Sequence, residues 1–175
     1  MMGIIDAIKE VAQAIRNMGG LPGQCVQEVG TSYDAVYTGT TQTPNDDTIP
    51  QNTEGTEFFS QAITPRAVGN ILHIEVNAMI SHTAVPRVCT FALHQDSVVN
   101  ALAAHGHTVV FNTDAPNSVT VRFRVVVTST SPTTYKIRIG AHSTGTLTIN
   151  GAGAGSRLYG AIPKSSITIK ECRPL

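Results

Sequence analysis

Regular alternation of apolar and polar residues is the feature that most constrains how this chain of 175 residues can fold. In the stretch LHIEVNAMI (residues 72–80) and again in VTVRFRVVV (119–127), every second residue is apolar. A period of two sends successive side chains to opposite faces of a strand, so one face of each stretch suits a core and the other suits water. Both stretches are therefore predicted to be half-buried antiparallel strands.

Shorter alternating runs continue this pattern along the chain, separated by prolines and glycines. They recur at intervals of about 8 to 12 residues, and no helical pattern lies between them. Such spacing is typical of an all-β, antiparallel sandwich or jelly roll. The polar segment 39–57 is predicted to be a loop or extended arm within the same domain. The shorter runs are TFAL (90–93), TYKIRIG (134–140), TLTIN (146–150) and SITIKE (166–171).

The beginning of the chain follows a different period and predicts one short α-helix. Large apolar residues recur at spacings of four, three, four and three, which is a heptad seam, and the predicted helix covers residues 3–18. β-branched residues at both inner heptad positions favour three or four helices over two, so we expect a parallel three-helix cluster and a homotrimer. The alternative is that this stripe packs on the chain's own domain or on another protein. The predicted interface residues are Ile4, Ile8, Val11, Ile15 and Met18.

Charge and cysteine content narrow the possible function classes. Lys and Arg together number 12, as do Asp and Glu, so the formal net charge is zero and general nucleic-acid binding is disfavoured. No apolar stretch approaches the ~20 residues of a membrane span, and neither a signal peptide nor a membrane helix is predicted. Cys25, Cys89 and Cys172 are odd in number and lack C-x-x-C spacing, so we expect free thiols in a reducing compartment.

The glycine-rich run NGAGAGS (150–156) raises the question of a phosphate-binding loop. Its glycines, Gly151, Gly153 and Gly155, have neither the G-x-G-x-x-G spacing of a dinucleotide site nor the Lys-Ser/Thr ending of a P-loop. The residues that follow continue as a strand rather than a helix. We predict a structural turn between two strands, with a positive φ at Gly151 or Gly155.

The histidines raise the question of a metal site. His105 and His107 have the spacing that places both rings on one face of a strand, as in some jelly-roll metal enzymes. The glutamate that would follow three or four residues later is missing, so we predict no metal and no cofactor. The other histidines are predicted to lie on outward faces: His73, His82, His94 and His142.

Other reactive residue types also lack a catalytic pattern. The chain has no G-x-S-x-G motif, and Asp46 and Asp47 lie in a polar loop where acids favour turns. Arg122 and Arg124 share the outer face of one predicted strand, where they are either solvated or paired, or engage acidic groups of a partner or glycan. We therefore predict a protein that is not an enzyme.

Three stretches resemble short phage structural proteins, found in tail fibres and other virion appendages, whose heads are jelly rolls of the tumour-necrosis-factor/C1q type. The resemblance covers nearly all of a head domain (24–175) but not the N-terminal helical segment (1–23). It implies a TNF/C1q-like homotrimer without catalytic activity. The stretches are 38–77, containing DDTIPQNTEG and AITP; FALHQDSVVNALAA (91–104); and TINGAGAGSRLYGAIPKSSITIKE (148–171).

This resemblance leads to a specific functional hypothesis. The expected protein is a non-enzymatic structural component of a bacteriophage virion, either a capsid decoration protein or a short head fibre, docked through its N-terminal helix. The alternative is a tail-fibre tip that binds a host surface glycan or protein. The expected partners are two further copies of the chain and other phage capsid or tail proteins, and the expected location is the virion, assembled in the host cytoplasm.

Overall fold

The computed structural model describes residues 3–17, 20–84, 87–109 and 115–175, and it shows one α-helix followed by strands. Helix α1 spans Ile4–Asn17, so it begins one residue later than predicted, and Met18 of the predicted interface lies outside the described residues. The strands are β1 (Cys25–Tyr33), β2 (Tyr37–Gly39), β3 (Thr56–Ile63), β4 (Ile71–His82), β5 (Arg87–Gln95), β6 (Ala103–Val109), β7 (Asn117–Val126), β8 (Thr133–Ala141), β9 (Leu147–Ile149), β10 (Gly151–Ala152), β11 (Ser156–Arg157) and β12 (Ser165–Cys172).

The strands form two main antiparallel sheets. The first sheet has the order β1-β12-β4-β9-β2, with β7 also paired to β4, and the second has the order β3-β8-β5-β6. Strands β10 and β11 form a small separate hairpin. Because successive strands pass repeatedly from one sheet to the other, the arrangement is a jelly roll. The all-β antiparallel jelly roll predicted from the sequence is confirmed.

The core lies between the two sheets and is built from the alternating residues. On β4 and β12 the inward side chains are almost fully buried, while the residues between them face outward, as a period of two requires. The second sheet contributes two of the largest buried side chains, Phe59 and Phe91. The other large aliphatic side chains that are less than 2% exposed are Leu72, Ile74, Ile80, Leu93, Ile137, Ile139, Ile149, Ile167 and Ile169.

The expectation of free thiols is wrong for two of the three cysteines. Cys25 at the start of β1 lies directly opposite Cys172 at the end of β12, and the two form a disulfide. This pairing could not be predicted from the sequence, because the two cysteines are 147 residues apart and only the register of the folded sheet brings them together. Cys89 is a buried free thiol, and burial raises the pKa of this thiol to about 11. A reducing compartment therefore does not follow from the cysteine count.

Candidate interaction surface

Helix α1 exposes the apolar stripe that the heptad pattern predicted. Ile4, Ile8 and Val11 are 81%, 62% and 60% exposed, and together with Ala7 and Ala12 they line one face of the helix. Ile5, which the seam did not include, is also exposed at 68%. An amphipathic helix normally buries such a stripe against another element, so this face is suited to an interface. Ile15, the fourth predicted interface residue, also lies within α1.

The glycine-rich run is a hairpin turn. Gly151 and Ala152 pair with Arg157 and Ser156, and the chain reverses between the two short strands. Gly155 has a φ of 111° and Gly153 a φ of 55°, whereas Gly151 is extended and lies so close to the Ser156 carbonyl that a Cβ there would sit 2.6 Å from it. These glycines allow a tight turn and a close backbone approach.

Replacing Gly155 with alanine is expected to lower the free energy of unfolding by about 1–2 kcal/mol, because an L-residue is strained at positive φ. The matched control is Gly106→Ala on β6, where the nearest atom to an added Cβ is Val88 Cγ1 at 3.5 Å, an ordinary contact. Urea unfolding of both variants measures the effect. Equal stability of the two variants would contradict this role of the turn.

The residue that precedes the turn, Asn150, has a structural role within the C-terminal stretch 148–171. Asn150 is fully buried with a φ of 59°, and its amide donates hydrogen bonds to the carbonyls of Tyr33 and Ala35 at 2.8 and 3.0 Å. Its side-chain oxygen accepts a hydrogen bond from the Ser165 hydroxyl at 2.7 Å. Asn150 thus joins the β1–β2 connection to the start of β12, and this part of the motif determines the fold.

Glu171 is a buried carboxylate that the sequence did not single out. It accepts hydrogen bonds from Gln27 Nε2 (2.6 Å), Asn70 Nδ2 (2.5 Å) and the backbone N–H groups of Arg66 (2.9 Å) and Ala67 (3.2 Å). Burial by itself raises the pKa of this carboxyl, but the hydrogen bonds outweigh burial and the net pKa is lowered. Glu171 therefore fastens β12 to β1 and to the β3–β4 loop as an anion.

We expect Glu171→Gln to lower the free energy of unfolding at pH 7 by about 3 kcal/mol, because an amide cannot accept bonds from all of these donors. A carboxyl with a lowered folded-state pKa contributes stability above its unfolded-state pKa and loses it as the pH falls through the folded-state pKa. The stability difference from the unmodified protein should therefore shrink on acidification. The control is Glu75→Gln, which removes an exposed ion pair and should cost less than about 1 kcal/mol. Urea unfolding at several pH values measures both, and a pH-independent difference would contradict the assignment.

The histidines are not all placed as predicted. His73 and His142 are exposed, but His82 and His94 are each only 1% exposed, so the outward placement predicted for these two is wrong. The outer face of the second sheet is covered where segment 42–55 meets segment 96–102, through hydrogen bonds such as Asn52 N–H to the Val99 carbonyl at 2.8 Å, and this cover accounts for His94. Burial lowers the pKa of His94.

The His105/His107 pair is part of the sheet edge. His105 Nε2 lies 3.0 Å from the Arg122 carbonyl, and its ring packs against Phe123 with the ring centroids 4.9 Å apart. Burial lowers the pKa of His107. Within the described ranges, no group of three or more His, Cys, Asp or Glu residues is close enough to hold a metal ion.

Four strands of the first sheet present a charged outer face. Glu28, Lys170, His73 and Arg124 lie directly opposite one another on β1, β12, β4 and β7, and they form one row across the sheet. In the next row, Arg122 Nε lies 2.6 Å from Glu75 Oε2. Lys170 Nζ lies 3.5 Å from Glu28 Oε2. Arg122 and Arg124 share the outer face of β7, as predicted. Arg122 is paired with Glu75, whereas Arg124 lies opposite His73.

Comparison with known proteins finds a family match over most of the chain. The family model described as "Pgp3 C-terminal domain" matches residues 38–175. "Virulence plasmid protein pGP3-D" of Chlamydia trachomatis serovar L2 is 26% identical over 129 residues, which is 71% of this chain and 47% of that protein. The chain thus spans about half the length of the curated relative that it matches. No helix in the described part of the chain is long and apolar enough to cross a membrane.

Two solved structures are distantly similar to this chain. The Eiger TNF of S. frugiperda has a TM-score of 0.43 and 10% identity, covering 85% of this chain and 94% of that one. The EclA C-terminal domain, titled a sugar-binding protein, has a TM-score of 0.37 and 13% identity, covering 75% and 81%. These values describe a distant likeness of jelly rolls and assign no ligand.

The family match overturns the phage hypothesis. The expected bacteriophage virion protein, its location in the virion and its capsid or tail partners are wrong, because the matching family and the curated relative are both of the chlamydial Pgp3 type. The stretches that suggested a phage family instead include the residues that build a jelly roll, such as Asn150 and Glu171. Residues of this kind indicate which fold the chain adopts, but they do not indicate the biological function of the protein.

Proposed function

Because this chain belongs to the Pgp3 C-terminal domain family, we propose that it is a non-enzymatic, virulence-associated interaction protein that assembles as a homotrimer through helix α1. Its relative is named a virulence plasmid protein, which is the source of the biological context. The observation that carries the proposal is the exposed apolar face of α1, formed by Ile4, Ile8 and Val11.

The length of α1 supports assembly over an isolated helix. The helix has 14 residues, and isolated helices of about this length are marginal in water, so α1 needs packing to be stable. Burying an exposed Ile or Val side chain contributes roughly 1.5–3 kcal/mol. Three such residues in each of three chains provide enough apolar surface to hold a short bundle together.

The heptad positions favour three helices. With Ile8 at position a, Ile4 and Val11 lie at position d, and β-branched residues at d are poorly accommodated in a two-stranded coiled coil. Asp6, Lys9 and Gln13 occupy outer heptad positions, so charged and polar groups remain in water when the seam closes. A parallel trimer places the three head domains at the same end of the bundle.

The surroundings of the reactive side chains support a non-enzymatic role. The pKa of the Cys89 thiol is raised to about 11 by burial, so this thiol is protonated and a poor nucleophile at neutral pH. Glu171 is held by four donor groups within the fold. Glu75 and Glu57 face arginine or lysine in ion pairs. The hydrogen bonds and ion pairs of these acids account for their positions in the fold without a catalytic role.

Removing residues 1–22 tests the proposed assembly. Light scattering coupled to size-exclusion chromatography should give a trimer for the full chain and a monomer for the truncated one at micromolar concentration. Far-ultraviolet circular dichroism of the truncated protein should retain the β-sheet signal, which shows that the head domain is still folded. The proposal would be contradicted if the full chain were monomeric, or if the truncated chain were still a trimer.

A further inference from the structure

The first sheet carries three basic side chains side by side near the Cys25–Cys172 disulfide. Lys170, His73 and Arg124 lie side by side on β12, β4 and β7. Neighbouring strands are about 4.8 Å apart, so the row from Lys170 to Arg124 spans about 10 Å. All three side chains point away from the core, because each alternates with a buried residue on its strand.

A depression of roughly 540 Å³ lies along this row. Its lining includes Lys170, His73, Arg124 and Arg173, and no Asp or Glu side chain belongs to the described residues that line it. The other lining residues are Ile71, Pro174, Leu175, Gly23 and the two disulfide-bonded cysteines. Lys170, Arg124 and Arg173 are the cationic side chains among the described residues that line the depression, and each attracts an anion.

Neither Arg124 nor Arg173, the two arginines that line the depression, has a carboxylate within salt-bridge distance among the described residues. Arg124 is exposed, and no carboxylate in the described part of the chain lies within salt-bridge distance of it. The Nε of Arg173 is buried and has no hydrogen-bond partner among the described residues. Arg122, on the same strand as Arg124, is by contrast already engaged by Glu75.

We propose that this depression binds an anion carrying two or more linked phosphate groups. Arginine presents a planar fork of donors that matches phosphate oxygens, and lysine adds a point charge. A single phosphate contacts one end of a row that spans about 10 Å, whereas linked phosphates reach both Lys170 and Arg124. The phosphates belong either to a soluble ligand or to a lipid headgroup, because both offer the same oxygens. The site lies within one chain, so it does not depend on the proposed trimer.

Isothermal titration calorimetry of the full, disulfide-bonded chain with inorganic tripolyphosphate tests this site. At constant ionic strength we expect saturable binding with one site per chain, and Arg124→Gln should weaken the binding about tenfold because it removes a charge-assisted contact. Glu28→Gln should strengthen the binding severalfold, because Lys170 then no longer faces a carboxylate. The matched control Arg122→Gln, on the same strand and face, should change the affinity less than about twofold.

A second arm distinguishes the source of the phosphate. Vesicles of phosphatidylcholine with and without diacylglycerol pyrophosphate, whose headgroup carries two linked phosphates, are sedimented with the protein, and capture that requires this lipid and Arg124 assigns the site to a lipid headgroup. Binding of tripolyphosphate without such capture assigns it to a soluble ligand. The proposal is overturned if neither probe binds, or if Arg124→Gln and Arg122→Gln lower the affinity equally, since general screening of surface charge would then explain the result.

Discussion

Ile8→Asp is expected to convert the proposed trimer into a monomer at micromolar concentration. In the proposed bundle Ile8 lies at an inner heptad position, so the substitution places three carboxylates together at the helix interface. Each chain loses roughly 1.5–3 kcal/mol of apolar burial, and an unpaired charge buried in the seam adds a larger penalty. The trimer dissociation constant should therefore increase by several orders of magnitude. The expected result is a single species of monomer mass in light scattering.

The matched control for this variant is Gln13→Asp, which adds the same charge at an outer position of the same helix. Because Gln13 lies at the heptad position farthest from the seam, this variant should remain a trimer. Thermal unfolding of the head domain should be similar in both variants, since Ile8 is not among the buried residues of the β-sandwich core. Dissociation of both variants, or of neither, would show that the seam is not what holds the chains together.

Loss of the Cys25–Cys172 disulfide is expected to give the largest change in stability of the single chain. The bond closes a loop with a sequence separation of 147 residues. Closing a loop of this length reduces the entropy of the unfolded chain, which stabilises the folded protein by about 5 kcal/mol. Breaking the disulfide should lower the free energy of unfolding by at most this amount. The edge strand β1 and the adjoining bonds Gly23 N–H to the Pro174 carbonyl and Arg173 N–H to the Gln24 carbonyl should also loosen.

Urea unfolding with and without a phosphine reductant measures this contribution. Reductant should lower the unfolding midpoint of the unmodified protein to that of the double variant Cys25→Ser/Cys172→Ser, and it should leave the double variant unchanged. This design separates the disulfide from other effects of the reductant, because both proteins retain Cys89. Titration of three free thiols in the unfolded, unreduced protein would contradict the disulfide.

Alternation predicted the central strands because their two faces meet different environments. On β4, β7 and β12 the inward face meets the opposite sheet and the outward face meets water, so the period of two is preserved in the sequence. Strand β3 was not predicted, because adjacent Phe58 and Phe59 are both buried and a register shift between Glu57 and Phe59 breaks the alternation. A bulge of this kind removes the pattern on which such a prediction depends.

The features that the sequence did not predict depend on contacts between distant parts of the chain. The disulfide and the Glu171 cluster join residues that are more than a hundred positions apart, and no local pattern marks such a pairing. The burial of His94 depends on two loops that cover an otherwise outward face of β5. The apolar stripe of α1, in contrast, is local and was read directly from its heptad spacing. The number of chains that assemble through this stripe cannot be read from one sequence, and assembly of three chains is the central proposal.

Native mass spectrometry of the unmodified, disulfide-bonded protein tests that proposal most directly, because it counts chains in each complex. The expected result is a dominant complex of three times the chain mass of 18.5 kDa at micromolar concentration. Collision-induced dissociation of this complex should release single chains. A spectrum dominated by the monomer, or by dimers without trimers, would contradict the proposal that α1 assembles three copies of this chain.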